Sequence, residues 1–192
     1  MTFRIVVVGA SLGGFRALKT VLSGLPKDFP LPIVVVQHRS LDESELLAAL
    51  LANYVSLPVV EVHDKQEIKE GRIFVGPSNY HVLIDGAHLA LSTEAPVSHS
   101  RPSIDVLFES AAESFGEGVL GVLLTGMSRD GSAGLKRIKE CGGHTLVHDR
   151  LSAEGRVMPK GTIESVAADA VLPVEKIGSF MMDLSMVQRM NA

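Results

Sequence analysis

The chain has no tryptophan, two tyrosines and one cysteine. A lone Cys141 cannot close an internal disulfide, so a reducing compartment, the cytoplasm, is the expected home. Excess positive charge is missing too. The 18 Lys and Arg against 22 Asp and Glu leave a net charge of −4, and the cations are scattered. Neutralising a phosphate backbone needs clustered cations, which argues against nucleic acid as a partner. No apolar run approaches the ~20 residues that cross a bilayer, and the N-terminus lacks the basic-then-apolar pattern of a secretion signal. Neither repeats nor low-complexity linkers interrupt the chain.

What remains is an ordinary globular composition. The 192 residues are 46% hydrophobic and 21% charged, enough to enclose a sizeable core, and they are read as a single domain over residues 1–192. FRIVVVG and LPIVVVQ are short, continuous, β-branched runs, the mark of strands buried on both faces of a parallel sheet. Helical spacing follows in ESELLAALLANY, with Leu46, Leu47, Leu50 and Leu51, and in SIDVLFESAAESF, with Ile104, Leu107, Phe108 and Ala111.

Between these two helices the texture turns to short strands: VVEVH, GRIFVGP, HVLIDG and HLALS. Asp85-Gly86 carries a hairpin signal, and the four together are expected to form a β-rich insertion. Alternation then resumes with VLGVLLTG, the helix DGSAGLKRIKECGG, the strand HTLVHD and a helix over MPKGTIESVA with Pro159 in its first turn. A last stripe, Ile177, Phe180, Met181, Leu184 and Val187, reads as a core-facing helix. The expected fold is α/β: a doubly wound, mostly parallel sheet flanked by helices, with an inserted β-hairpin.

In such sheets ligands gather beyond the carboxyl ends of the strands. After the first run comes GASLGG, after the second Gln37-His38-Arg39, and after VLGVLLTG comes Met127-Ser128-Arg129-Asp130-Gly131. A glycine-rich turn between strand and helix either cradles a phosphate or lifts a serine nucleophile clear of the sheet. Ser11, His38 and Asp130 are the set acyl transfer requires: a hydroxyl, an imidazole to carry its proton, and a carboxylate to orient the imidazole.

Each also has a plainer use. Ser11 fits a tight turn, His38 a strand end, and Asp130 the N-cap of the helix DGSAGL. An NADP-binding oxidoreductase is the rival enzyme, with Arg39 toward the 2′-phosphate. That chemistry would need Tyr-x-x-x-Lys, but Pro58 and Ile84 stand four residues after Tyr54 and Tyr80. A catalytically idle binding domain is the other alternative. A metal site is not expected: His144 and His148 lie about 13 Å apart along a strand, and His63, His81, His88 and His99 share no ligand spacing. Cys141, at a helix C-terminus, reads as packing.

VVVGASLGGFRAL, VVVQH, GRIFVGPSNYHVLI, SRPSIDVLFESAAESFG, VLLTGMSRDGSAGLKRIKECGG and MPKGTIESVAADAV together resemble successive blocks of the catalytic domain of chemotaxis protein-glutamate methylesterases, the CheB-like family. The resemblance implies a serine hydrolase that demethylates glutamate γ-methyl esters on the cytoplasmic helices of chemoreceptors, releasing methanol, with glutamine deamidation in some members. It places the triad on Ser11, His38 and Asp130, and the oxyanion loop and cleft at Leu12 and Met127. Arg101 in the RPSxD block would meet acidic groups flanking the substrate, and Met158 and Pro159 would lie near the site.

No metal or organic cofactor is implied. Beyond the receptor, a separate response regulator or signalling protein is an expected partner; membrane insertion is not. Leu12 departs from the small residue or threonine common in the family and would narrow the cleft. Many members carry a receiver domain before the esterase, whereas the first strand here begins at Phe3. Phosphorylation control within this chain is therefore not expected.

Overall fold

The computed structural model describes residues 3–39, 46–149, 151–158 and 168–191. Strand β1 (Ile5–Ala10), wholly buried, leads through helix α1 (Gly14–Ser23) to β2 (Ile33–Gln37) and α2 (Leu46–Ala52). Then come β3 (Val59–Glu61), β4 (Gln66–Glu67), β5 (Ile73–Val75), β6 (His81–Asp85) and β7 (His88–Ser92). The second half runs α3 (Ile104–Phe115), β8 (Val119–Leu123), α4 (Ser132–Glu140), β9 (His144–His148), β10 (Ala170–Leu172) and α5 (Val174–Asn191).

Seven strands form one sheet in the order β10-β9-β8-β1-β2-β5-β3, each neighbouring pair parallel. Alternation along β1 sorts the core into two layers, because successive side chains leave opposite faces. Val6, Val8 and Ala10 meet Leu18 and Leu22 of α1, Leu47 and Leu51 of α2, and Ile177 and Met181 of α5. Ile5 and Val7 meet Ile104, Leu107 and Phe108 of α3 and Leu135 and Ile138 of α4. This is the expected doubly wound arrangement.

Three expectations change. VVEVH and GRIFVGP supply β3 and β5, which extend the main sheet rather than the insertion; their parallel pairing depends on contacts distant in sequence that a short apolar run does not announce. The insertion is therefore a three-stranded antiparallel sheet, β4-β7-β6, with the hairpin turning at Gly86 as expected. It rests on α3, where the Ile84 amide donates to Ser110 Oγ and Ser114 Oγ donates to the Ile84 carbonyl. The third change is β10, a short edge strand the sequence did not signal.

Leu50 lies on the exposed side of α2 while Leu47 and Leu51 are buried. The helix expected over MPKGTIESVA lies largely outside the described residues, Pro159 included, and Val187 of the last stripe lies outside the described side chains. Among the described residues no helix is long and apolar enough to cross a membrane, and no three His, Cys, Asp or Glu gather as a metal site.

Candidate active site

Strand β1 ends at Ala10, and the chain must turn sharply to enter α1. Gly13, the residue before α1, has φ +74°, and a Cβ there would lie 2.8 Å from a Glu154 carboxylate oxygen, so glycine fits on both counts. The turn stands Ser11 at the strand end. It is anchored from the segment just after β8, where the Ser11 amide donates to the Thr125 carbonyl (2.9 Å) and Thr125 Oγ1 donates to the Leu12 carbonyl (2.9 Å). Thr125 Oγ1 also accepts from the Gly155 amide, tying the segment after β9 to the same turn.

Strand β2, parallel to β1, delivers His38 at the same level, its amide donating to the Ala10 carbonyl. From the other flank β8 leads to Asp130. The crossover into β2 lies on one face of the sheet and α3, which precedes β8, on the other, so this is the switch-point crevice of a doubly wound sheet.

The three side chains meet in series. His38 Nδ1 stands 3.2 Å from Ser11 Oγ, and His38 Nε2 stands 2.7 Å from Asp130 Oδ2. With the ring proton on Nε2 facing the carboxylate, Nδ1 is free to accept from the serine. The ring is thus traversed in the opposite sense to the serine-protease template. His38 is largely covered and Asp130 completely so.

The plainer N-cap use of Asp130 is not the one found. Helix α4 takes Gly131 as its N-cap, without a side-chain cap, so Asp130 does not cap the helix it precedes. Its carboxylate turns instead to α3: Oδ1 accepts from Ser103 Oγ (2.8 Å) and the Asp105 amide (3.0 Å), and Oδ2 from the Ile104 amide (2.7 Å) as well as His38. Burial alone would push this carboxyl's pKa up. The donors from His38, Asp105, Ile104 and Ser103 together hold it below its ordinary value.

The seat of α3 is set by close packing. A Cβ on Gly9 would lie 2.3 Å from Ile104 Cγ2, so Ile104 fits against β1 only because residue 9 is glycine. Sequence reasoning missed Ser103, Asp105, Thr125 and Gly155. Ser103 precedes an amphipathic helix and its hydroxyl accepts from the Val106 amide, a readable N-cap signal. Its second partner across the fold is not readable.

Of the remaining predicted residues, Leu12 and Met127 are exposed, and their backbone N–H groups and that of Gly13 donate to no acceptor among the described residues. Met158 is buried with its Sδ against Gly126, beside Ser11 Cβ. Arg101 makes no hydrogen bond to the three. Its guanidinium donates to Asn79 Oδ1 and to the Thr93 and Glu94 carbonyls, binding the insertion to the segment before α3. Arg39 Nη2 donates to the Gly76 carbonyl. His144 sits near Asp169, and His148 bonds Ser152.

A parallel α/β sheet with serine, histidine and aspartate in hydrogen-bonded series at its switch point is the arrangement of the serine hydrolases. A family model described as CheB methylesterase matches residues 6–181, and the chain belongs to that family. A Leptospira interrogans protein provisionally named protein-glutamate methylesterase/protein-glutamine glutaminase is 42% identical over 185 residues, covering 96% of each chain. Anaeromyxobacter dehalogenans protein-glutamate methylesterase/protein-glutamine glutaminase 2 is 44% identical over 94% of this chain and 53% of its own length. The Myxococcus xanthus protein-glutamate methylesterase FrzG is 40% identical over 94% of this chain and 54% of its own.

The chain therefore spans nearly all of the first relative and about half of the other two. The crystal structure of the Thermotoga maritima CheB methylesterase catalytic domain superposes with a TM-score of 0.92 at 34% identity, over 96% of this chain and 100% of that one. The same fold is shared, and the dinucleotide-binding alternative is set aside.

Proposed function

We propose that this chain is the catalytic domain of a protein-glutamate methylesterase, acting in chemotactic adaptation on γ-methyl esters of the cytoplasmic helices of chemoreceptors. The observation that carries the reading is the His38 ring bridging Ser11 Oγ and Asp130 Oδ2 at 3.2 and 2.7 Å, in a chain of this family.

In the proposed cycle Ser11 Oγ attacks the ester carbonyl carbon and its proton passes to His38 Nδ1. Asp130 stays ionised and stabilises the imidazolium. The tetrahedral oxyanion is met by backbone N–H groups, for which Leu12 and Met127 supply unengaged donors; one such donor is typically worth about 3 kcal/mol of barrier. The C–OCH3 bond then breaks, methoxide takes the proton from His38, and methanol leaves an acyl-Ser11. Water repeats the sequence, giving a proton to His38 and freeing the γ-carboxylate and Ser11. The same two half-reactions on a glutamine side chain release ammonia. Water is the sole co-reactant, and neither step calls for a metal or organic cofactor.

Methanol release from methylated receptor helices tests the proposal. Parent protein is expected to release methanol stoichiometrically with demethylation, and Ser11→Ala to lose it by about 10^4-fold or more. Unchanged release in Ser11→Ala would remove Ser11 from the reaction, and no release by the folded parent from any receptor segment would favour an idle binding domain.

A further inference from the structure

We propose that Asp105 is a positioning residue for the Ser11–His38–Asp130 relay: it holds the Asp130 segment through reciprocal helix capping, and its charge shifts the acid limb of the pH profile. This rests on the proposed reading of the relay.

The first amides of a helix lack partners within it and attract a carboxylate. Here two helices exchange carboxylates. The Ile104 and Asp105 amides at the start of α3 donate to Asp130, which precedes α4. The Gly131 and Gly134 amides at the start of α4 donate to Asp105 Oδ1 at 2.9 and 2.7 Å. Each carboxylate thus fixes the helix that carries the other, and α3 cannot shift without moving the partner of His38.

Both carboxyls are buried, so their charges compete. Asp130 collects four donors, one from His38; Asp105 collects two. Burial foremost raises Asp105 to about 6; the Gly134 amide opposes this and the Asp130 charge adds to it. The proton shared between the pair therefore settles on Asp105, and near neutrality Asp105 changes charge beside a relay whose own carboxylate stays ionised.

The titratable groups around Asp105 are few among the described residues. Asp130 faces it from the α4 side, with His38 behind. From β6, His81 Nδ1 accepts from the Ser103 amide, and one turn along α3 Glu109 is exposed. An ionised Asp105 puts a second negative charge beside Asp130 and makes the relay as a whole hold a proton more readily, so removing that charge should free the relay at lower pH.

Asp105→Asn keeps an oxygen for Gly131 and Gly134 and deletes the charge; Asp105→Ala deletes both. In Asp105→Asn the acid limb of kcat/KM is expected to move to lower pH by about one unit. In Asp105→Ala kcat is expected to fall at least about tenfold further at the alkaline plateau with KM little changed, as a loosened Asp130 dictates. An acid limb in Asp105→Asn superimposed on the parent's would overturn the proposal. Carbon-13 NMR of the Asp105 carboxyl gives a readout without turnover, separating failure of this inference from failure of the esterase reading. A midpoint near pH 6 that drops in Asp130→Asn is expected; a parent midpoint at an ordinary carboxyl value would overturn the coupling.

Discussion

Replacing Asp130 by asparagine preserves the side chain's shape and removes its charge and one acceptor. Both carboxylate oxygens are fully used: Ser103 Oγ and the Asp105 amide on one, the Ile104 amide and His38 Nε2 on the other. A carboxamide can offer its oxygen to one pair alone. With NH2 on the first side it opposes the Asp105 N–H, and the Ser103 hydroxyl must turn round to accept. With NH2 on the second side it opposes the Ile104 N–H and forces the His38 proton onto Nδ1, where the ring can no longer accept from Ser11.

Either choice strands a buried amide, at about 1–3 kcal/mol, and gives up charge-assisted bonds, so an unfolding free energy lower by about 2–4 kcal/mol is expected. Turnover should fall about 10^3- to 10^4-fold, since a misplaced or wrongly protonated imidazole removes general-base catalysis. Urea unfolding at pH 7.5, followed by circular dichroism, reads the first effect and methanol release the second. If Asp130 merely capped α4, stability would be unchanged, because asparagine caps as well as aspartate. A loss under about 0.5 kcal/mol would therefore refute the four-donor arrangement.

Asp105 binds its proton more tightly when folded, about 6 against 3.8, so its ionisation erodes stability as pH rises between those values. At about 1.4 kcal/mol per unit the erosion above pH 6 reaches about 3 kcal/mol. Asp105→Asn should therefore gain in Tm relative to the parent between pH 4.5 and 8, and a pH-independent difference would contradict this. Gly9→Ala drives a methyl into Ile104 and should cost about 1–3 kcal/mol by thermal melting, with a fall in kcat because Ile104 carries an Asp130 donor; an unchanged Tm would show the seat to be slack. Leu12→Ala, at an exposed side chain, should alter stability by under about 0.5 kcal/mol while raising kcat/KM for methylated helices relative to free glutamate γ-methyl ester. An unchanged ratio would mean Leu12 does not narrow the cleft.

Most of the sheet was legible because parallel strands buried on both faces leave continuous β-branched runs, and β1, β2 and β8 each announce themselves this way. The strand-end rule then brought Ser11, His38 and Asp130 to one rim without any contact information. Less legible was whatever depends on two distant segments meeting. β3 and β5 look like insertion strands until their parallel pairing is seen, and β10 is too short to carry a period.

Asp130 is the instructive case. An aspartate opening DGSAGL fits a local N-cap, yet it serves a helix that starts more than twenty residues earlier, and Asp105 returns the service. Local spacing can propose a cap; the tertiary fold decides which helix receives it. Arg101 shows the same limit, since its guanidinium is taken up by Asn79 and two insertion carbonyls that lie remote from any readable motif.

Mass spectrometry of the protein mixed rapidly with a glutamate γ-methyl ester peptide, quenched in acid and digested, measures the proposed intermediate itself. The peptide bearing Ser11 is expected to gain the mass of the acyl group with loss of methanol, and His38→Ala to abolish that gain. Demethylation proceeding at the parent rate with no adduct on Ser11, or with an adduct on another residue, would contradict the account.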